Sequence, residues 1–274
     1  MTAAQMTAAP IPGATATASR PPIGWAIHDS LAIARRNLIS LTRQPQLIVF
    51  STIQPVIFVL LFTYAFGVAI SVPGFDYFDY LMPGIFCQTV VFGAINTGIG
   101  LSDDLQKGLI ERFRSLPMAR SAVLAGRTAA DLVRNVFVVL LMLAVGYAVG
   151  FRIHTNVFGL LAGIGILLLF AFSMTWIFAI VGLKAKDPET AQAMSFPILA
   201  PLVFASSAFV STSTMPGWLQ VFANHQPVTA AVNATRALML GGPTTEYVLQ
   251  SLAWSIGIVV VFAPFAIRTY RRAA

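Results

Sequence analysis

Long apolar runs alternate along this chain with short charged intervals, and the length of the runs identifies them. A helix crosses a bilayer in roughly 20 predominantly apolar residues. The qualifying stretches are Leu47–Val68, Leu81–Ile99, Leu132–Val149, Val157–Leu183, Met194–Val210 and Val248–Ile267. The fourth is long enough to tilt or to project past the lipid. The fifth is short and carries Pro197 and Pro201, and losing it would reverse everything that follows. The pattern predicts an all-α integral membrane protein with six transmembrane helices. It contains no internal repeat of the kind that inverted-repeat secondary transporters carry.

The intervals hold a second layer of pattern. Residues 1–22 are rich in Ala, Thr and Pro, with neither a basic start nor a continuous apolar run. They are predicted to be a disordered tail and not a signal peptide, which leaves the first span to act as an uncleaved anchor. Over 23–46, Ile27, Leu31, Ala34, Leu38 and Leu41 recur at helical spacing, while Asp29, Arg35, Arg36 and Arg43 avoid that stripe. This is an amphipathic helix suited to the membrane interface. It serves equally as a brace that touches a partner or as a simple anchor. Residues 47–274 form the membrane domain.

Between the second and third spans, Ser102, Asp103 and Asp104 are expected to start a helix, because carboxylates suit its positive end. Leu105, Leu109 and Phe113 then make an apolar stripe that Leu116 continues, with Glu111, Arg112 and Arg114 around it and Pro117 closing it. Such a helix fits the groove of a partner protein, and a solvated positive loop would look the same. Lys184–Gln192 forms a second knuckle, in which Asp187-Pro188-Glu189 marks a turn into a helix start. A tight turn between spans explains it as well. Between the last two spans, Pro216-Gly217-Trp218-Leu219 opens a short helix to about Asn224. Pro227 opens another to Leu240, stopped by Gly241-Gly242-Pro243. Trp218 suits a membrane boundary, so two short helices dipping into the outer leaflet are expected.

Composition sharpens the class. Of 274 residues, 57% are hydrophobic and only 10% charged, with mean hydropathy +0.79. A soluble domain carries about 25% charged residues. The net charge of +7 would suit nucleic acid or membrane, and the positions favour membrane. With both termini in the cytoplasm, the inner side holds Arg20, Arg35, Arg36, Arg43, Lys107, Arg112, Arg114, Arg120, Arg127, Arg134, Lys184, Lys186, Arg268, Arg271 and Arg272. The outer side keeps Arg152 and Arg236. That is the asymmetry expected of a multi-pass plasma-membrane protein.

The chemistry of an enzyme is not evident. There is no phosphate-binding G-x-x-x-x-G-K-[ST] loop and no H-E-x-x-H. His28, His154 and His225 fall on different segments, and Cys87 is the sole cysteine, so no metal site is expected. Asp131 and Arg134 sit at the inner edge of the third span and can pair with each other. Acidic residues near the midplane, usual in ion-coupled carriers, are missing, which points to energy supplied from outside the bundle.

Three segments together resemble one family: KGLIERFRSLPMARSAVLAGR at Lys107–Arg127, GLKAKDPETAQAMSFPILAPLVFASSAFV at Gly182–Val210, and MPGWLQVFANHQPVTAAVNATRALMLGG at Met215–Gly242. In order and topology they are similar to the type-2 ABC exporter permeases, in the branch of the daunorubicin/doxorubicin-resistance membrane subunits. The resemblance implies a transport subunit that is not itself an enzyme and carries no cofactor. Two ATPase subunits would bind ATP and Mg beneath it, and a second permease, identical or related, would pair with it in the lipid. It implies that Glu111, Arg112, Phe113, Arg114 and Leu116 belong to the helix that couples to the ATPase, and that 23–46 is the connecting helix. Lys186, Asp187 and Glu189 would form a secondary cytoplasmic contact. Pro197 and Pro201 are candidates for a hinge, or for a fixed kink. Cargo would be hydrophobic or amphipathic, such as drugs or lipids. The competing classes are a secondary transporter or channel without an ATPase, and a membrane-embedded enzyme acting on lipids.

Overall fold

A computed structural model of the chain describes residues 45–62, 64, 76–108 and 120–273. The expected tail, most of the amphipathic segment over 23–46 and the end of the first span lie outside the described residues. Within them the chain is helical: α1 Pro45–Leu61, α2 Tyr77–Gln106, α3 Arg120–Val149, α4 Val157–Lys184 and α5 Pro188–Phe204 are followed by a single 3-10 turn, Thr212–Thr214. Three further helices complete the order, α6 Gly217–Asn224, α7 Pro227–Leu240 and α8 Thr244–Ala273.

Four helices, α2, α3, α4 and α8, are long and apolar enough to cross a membrane. α1 and α5 are 17 residues each as described. α2 is the hub, packing most extensively on α4 and also on α5, α3 and α7, while α4 packs on α8. In the most apolar window of α2, 72% of residues are buried, against 17% in α8. α2 is therefore enclosed by the other helices, and α8 lies at the periphery with Leu249, Ile256, Val260 and Phe265 turned outward. α2 is the least apolar of the four and carries Asp79, Gln88, Thr89, Thr97 and Ser102, which are costly to expose to lipid, so it takes the centre.

Lipid is as apolar as leucine, so helices in a membrane associate through close packing. Where α2 crosses α4, Gly98 lies against Phe178 and Gly182, and a Cβ at either glycine would strike backbone atoms within about 2.5 Å. The main core joins Leu81, Ile85, Phe86 and Val90 of α2 to Phe170, Met174 and Phe178 of α4 and to Leu199 and Val203 of α5.

Local chemistry sets the ends. Asn156 accepts from the Gly159 amide at 2.8 Å and starts α4. Asp187 accepts from the Thr190 amide at 2.7 Å and from its hydroxyl at 3.0 Å, and with Pro188 in the first turn it starts α5. That early start displaces the expected fifth span. The helix runs from Pro188 to Phe204, not from Met194 to Val210, and Ser206–Phe209 form a buried non-helical return.

Ser102, Asp103 and Asp104 close a helix, contrary to the expectation that they open one. They stand in the last turn of α2, which ends at Gln106. The apolar pattern wins because Leu101 is buried and Leu105 packs beside it, in a cluster with Leu183, Ala266 and Tyr270. Carboxylates at a C-terminus oppose the helix dipole. Here Lys107 pairs with Asp103 at 2.7 Å and Arg127 pairs with Asp104, which offsets that penalty. Gly108, at φ +64°, takes the left-handed position that terminates the helix, its amide donating to the Leu105 carbonyl. The two short helices after α5 match their expected limits.

Candidate functional site

Among the described residues, charged side chains gather at one end of the bundle and a hydrogen-bonded cap closes the other. One end carries the C-termini of α2, α4 and α8, with Lys107, Lys184, Lys186, Arg271 and Arg272, and we call it the basic end. Glu111, Arg112, Phe113, Arg114 and Leu116 belong to the interval between α2 and α3 and lie outside the described residues. The structure describes the supports of that interval. α2 ends before it, α3 resumes at Arg120, and the Arg127–Asp104 pair, both side chains under 20% exposed, ties the two helices together beneath it. The turn from α4 to α5 stands at the same end, because Leu183 and Leu101 share one buried cluster. Lys186 and Glu189 are exposed there. Asp187 is held below the usual carboxylate range by the Thr190 amide and hydroxyl, so its first duty is to cap α5.

The opposite end is closed by segments that fold back over it. In the loop between α3 and α4, Phe151 is buried edge-on to Phe86. The Arg152 amide donates to Asp79 at 3.2 Å and the His154 amide to the Met239 carbonyl at 3.1 Å. The Thr155 hydroxyl donates to Leu238 at 2.7 Å.

The centre of this cap is Arg236 on α7. Its Nε and Nη2 both donate to the Tyr80 carbonyl at 3.1 Å, and Nη2 donates also to the Ser207 carbonyl at 2.8 Å. Nη1 donates to Asn233 Oδ1 at 3.0 Å. The guanidinium lies 3.6 Å from the centroid of the Tyr80 ring. Burial pulls its pKa below the ordinary guanidinium value. The sequence places Arg236 on the outer side, within the helix expected over Pro227–Leu240, and the fold uses it there to join α2, α7 and the return after α5. The Tyr77 and Tyr80 hydroxyls donate to the Phe209 and Ser207 carbonyls of the same return.

Pro197 and Pro201 project outward on one face of α5 with Met194, Ile198 and Phe204, while Ala191, Ser195, Leu199 and Val203 form the buried stripe. The prolines leave the carbonyls of Ala193 and Pro197 without their usual donors. The hydroxyls nearest along the chain bond elsewhere. Ser195 donates to Ala191, Ser206 to Val203 and Ser207 to Asn233.

A sequence signal for the Arg236 cap is hard to find, since its partners are backbone carbonyls 29 and 156 residues away. The α2–α3 contacts leave a faint one, a glycine and an arginine each repeated at an interval of seven. Chemically the site is one of support and closure, with charged anchors at the basic end and a hydrogen-bonded cap at the other.

Residues 29–240 match the model of the ABC-2 type transporter family. The daunorubicin resistance ABC transporter permease protein DrrB1 of Streptomyces coeruleorubidus is 36% identical over 252 residues, covering 92% of this chain and 89% of the relative. The probable doxorubicin resistance ABC transporter permease protein DrrC of Mycobacterium tuberculosis is 28% identical over 250 residues, 90% of each chain. A putative transport permease, ycf38, of Pyropia yezoensis is 26% identical over 222 residues, 77% of this chain and 74% of the relative. A family match over residues 29–240 and 36% identity over 92% of the chain show that the chain belongs to the ABC-2 type transporter family.

Proposed function

We propose that this chain, a membrane permease subunit of an ABC exporter, moves hydrophobic or amphipathic compounds such as drugs or lipids out of the cell. Its energy comes from ATP hydrolysed, with Mg, on two separate ATPase subunits. The observation that carries the reading is the 36% identity, over 92% of the chain, to a permease named for daunorubicin resistance. A second permease, identical or related, completes the membrane part. The exposed apolar side chains of α3, α5 and α8 leave surface both for it and for lipid.

The basic end faces the cytoplasm, together with both termini, in keeping with the concentration of Lys and Arg there. The interval holding Glu111, Arg112, Phe113, Arg114 and Leu116 enters a groove of the ATPase, with Lys186, Asp187 and Glu189 as a secondary contact. Arg236 and its neighbours close the extracellular side. Pro197 and Pro201 let α5 bend as the ATPases close.

The test is co-expression with the ATPase encoded alongside. The pair is expected to co-purify and to lower daunorubicin accumulation in cells in an ATP-dependent way. Replacing Phe113 and Leu116 by Asp is expected to release the ATPase and leave the permease folded. Unchanged co-purification of that variant would remove the docking assignment, and ATP-independent efflux would favour a secondary transporter.

A further inference from the structure

The seam between α2 and α3 carries a polar register that two apolar spans do not need. The helices run antiparallel. Nη2 of Arg134 donates to the Gly93 carbonyl at 2.5 Å. One helical turn along, the Thr97 hydroxyl donates to Asp131 at 2.5 Å. At the basic end Arg127 pairs with Asp104.

Two of the receiving positions on α2 are glycine. A Cβ at Gly93 would stand 2.8 Å from Asn135 Oδ1 and 3.2 Å from Nη2 of Arg134, and a Cβ at Gly100 only 1.6 Å from Nη2 of Arg127. Both intervals, Gly93 to Gly100 and Arg127 to Arg134, are about two helical turns, so the Arg127 guanidinium fills the volume of the side chain missing at Gly100, and Asn135 and Arg134 together fill that at Gly93. Asp104, Arg127, Asp131 and Arg134 have side chains 13%, 17%, 13% and 13% exposed. The four charges cancel. A neutral, buried set is tolerable while together and costly when parted, because each charge would then lose its partner in an apolar medium. The seam therefore resists both separation and sliding.

We infer that this ladder locks α2 and α3 into one rigid hairpin. Arg127 and Arg134 are then positioning residues that carry displacement of the 109–119 interval into the membrane. The inference rests on the reading of the chain as an ATP-driven permease contacted by its ATPase at that interval. A loose hairpin would let the interval move while the spans stayed still, and hydrolysis would run without transport.

The test uses the full permease with its ATPase in nanodiscs. Cys87 is replaced by Ala, and spin labels are placed at Lys107 and Val133, both exposed. One narrow distance is expected, shifting by no more than about 2 Å on ATP trapping, the scale of motion within a packed unit. Gly100→Ala pushes aside the flexible end of Arg127 and leaves the backbone in place. It is expected to broaden the distance and to lower daunorubicin moved per ATP at least several-fold, with the ATPase still co-purifying. Gly100→Ala combined with Arg127→Gln should cost no more than either alone, because both break the same contact. The exchange Asp104→Arg with Arg127→Asp should restore much of the loss. A large change of distance on ATP trapping overturns the inference, and so does undiminished transport per ATP in Gly100→Ala. If the parent permease fails to hold an ATPase, the functional reading falls instead. The distance in the permease alone then still decides, a broad distribution in the parent overturning the ladder.

Discussion

Gly182 of α4 packs against Gly98 of α2 so closely that a Cβ added to Gly182 would stand 2.0 Å from the Gly98 carbonyl oxygen and 2.7 Å from its Cα. The obstructing atoms are backbone, so no rotamer change can relieve the contact. Gly182→Ala must push the two central helices apart, at an expected cost of about 1–3 kcal/mol for overpacking. A Cβ added to Gly165, on the same helix, would meet nothing within 4 Å. Gly165→Ala is expected to be neutral or to stabilise by up to about 1 kcal/mol, from helix propensity alone. Thermal unfolding of the two variants in detergent should separate them clearly. Equal melting temperatures would mean that the crossing is not tight.

Arg236 makes the cap at the other end, and its fork reaches two carbonyls and one amide together. Arg236→Ala is expected to cost about 3 kcal/mol, because the carbonyls of Tyr80 and Ser207 lose a charged donor and the ring of Tyr80 loses its cation. Arg236→Lys keeps the charge and loses the fork, and should recover only part of that. Amide hydrogen exchange over 205–210 and 227–240 reads the loss locally. Unaltered protection in Arg236→Ala would contradict the assignment.

Pro197 and Pro201 project from α5 on its outward face. Replacing both by Ala returns donors to the carbonyls of Ala193 and Pro197 and should straighten and stiffen the helix. Assembly is expected to survive, with hydrolysis by the partner ATPase continuing and daunorubicin efflux falling. Efflux at the parental rate would leave a fixed kink and no hinge.

Asp187 gives a pH test with a defined sign. Its pKa is lowered in the folded chain, chiefly by the Thr190 amide and then by the Thr190 hydroxyl. The stabilisation it gives to the start of α5 is therefore complete above the ordinary value of 3.8. It is lost as the pH falls through the lower folded value. Asp187→Ala should melt earlier than the parent at neutral pH, and the gap should close below the folded value. A gap that stays constant through acid would show that the carboxylate is not the cap.

The amino-acid sequence by itself determined the helical class, the fourth long helix and the two short helices after α5. Long apolar runs, Asn156, Asp187, Pro227 and the glycines after Leu240 each act within a few residues of where they stand, so their effects are local and legible. It also showed where Lys and Arg concentrate along the chain. Tertiary structure decided what those local signals left open. Asp103 and Asp104 look like a helix start until the buried Leu101 and the cations at Lys107 and Arg127 make them a helix end. Arg236 counts only as an outer-side charge until the Tyr80 and Ser207 carbonyls come within reach. Gly93, Gly98, Gly100 and Gly182 look alike in the chain, and only the neighbouring helix shows whether the space above each holds a polar side chain or another backbone. In lipid the apolar surface of a helix does not choose its partner, so the choice falls to close backbone approach and a few buried polar pairs, and both depend on residues far apart in the chain.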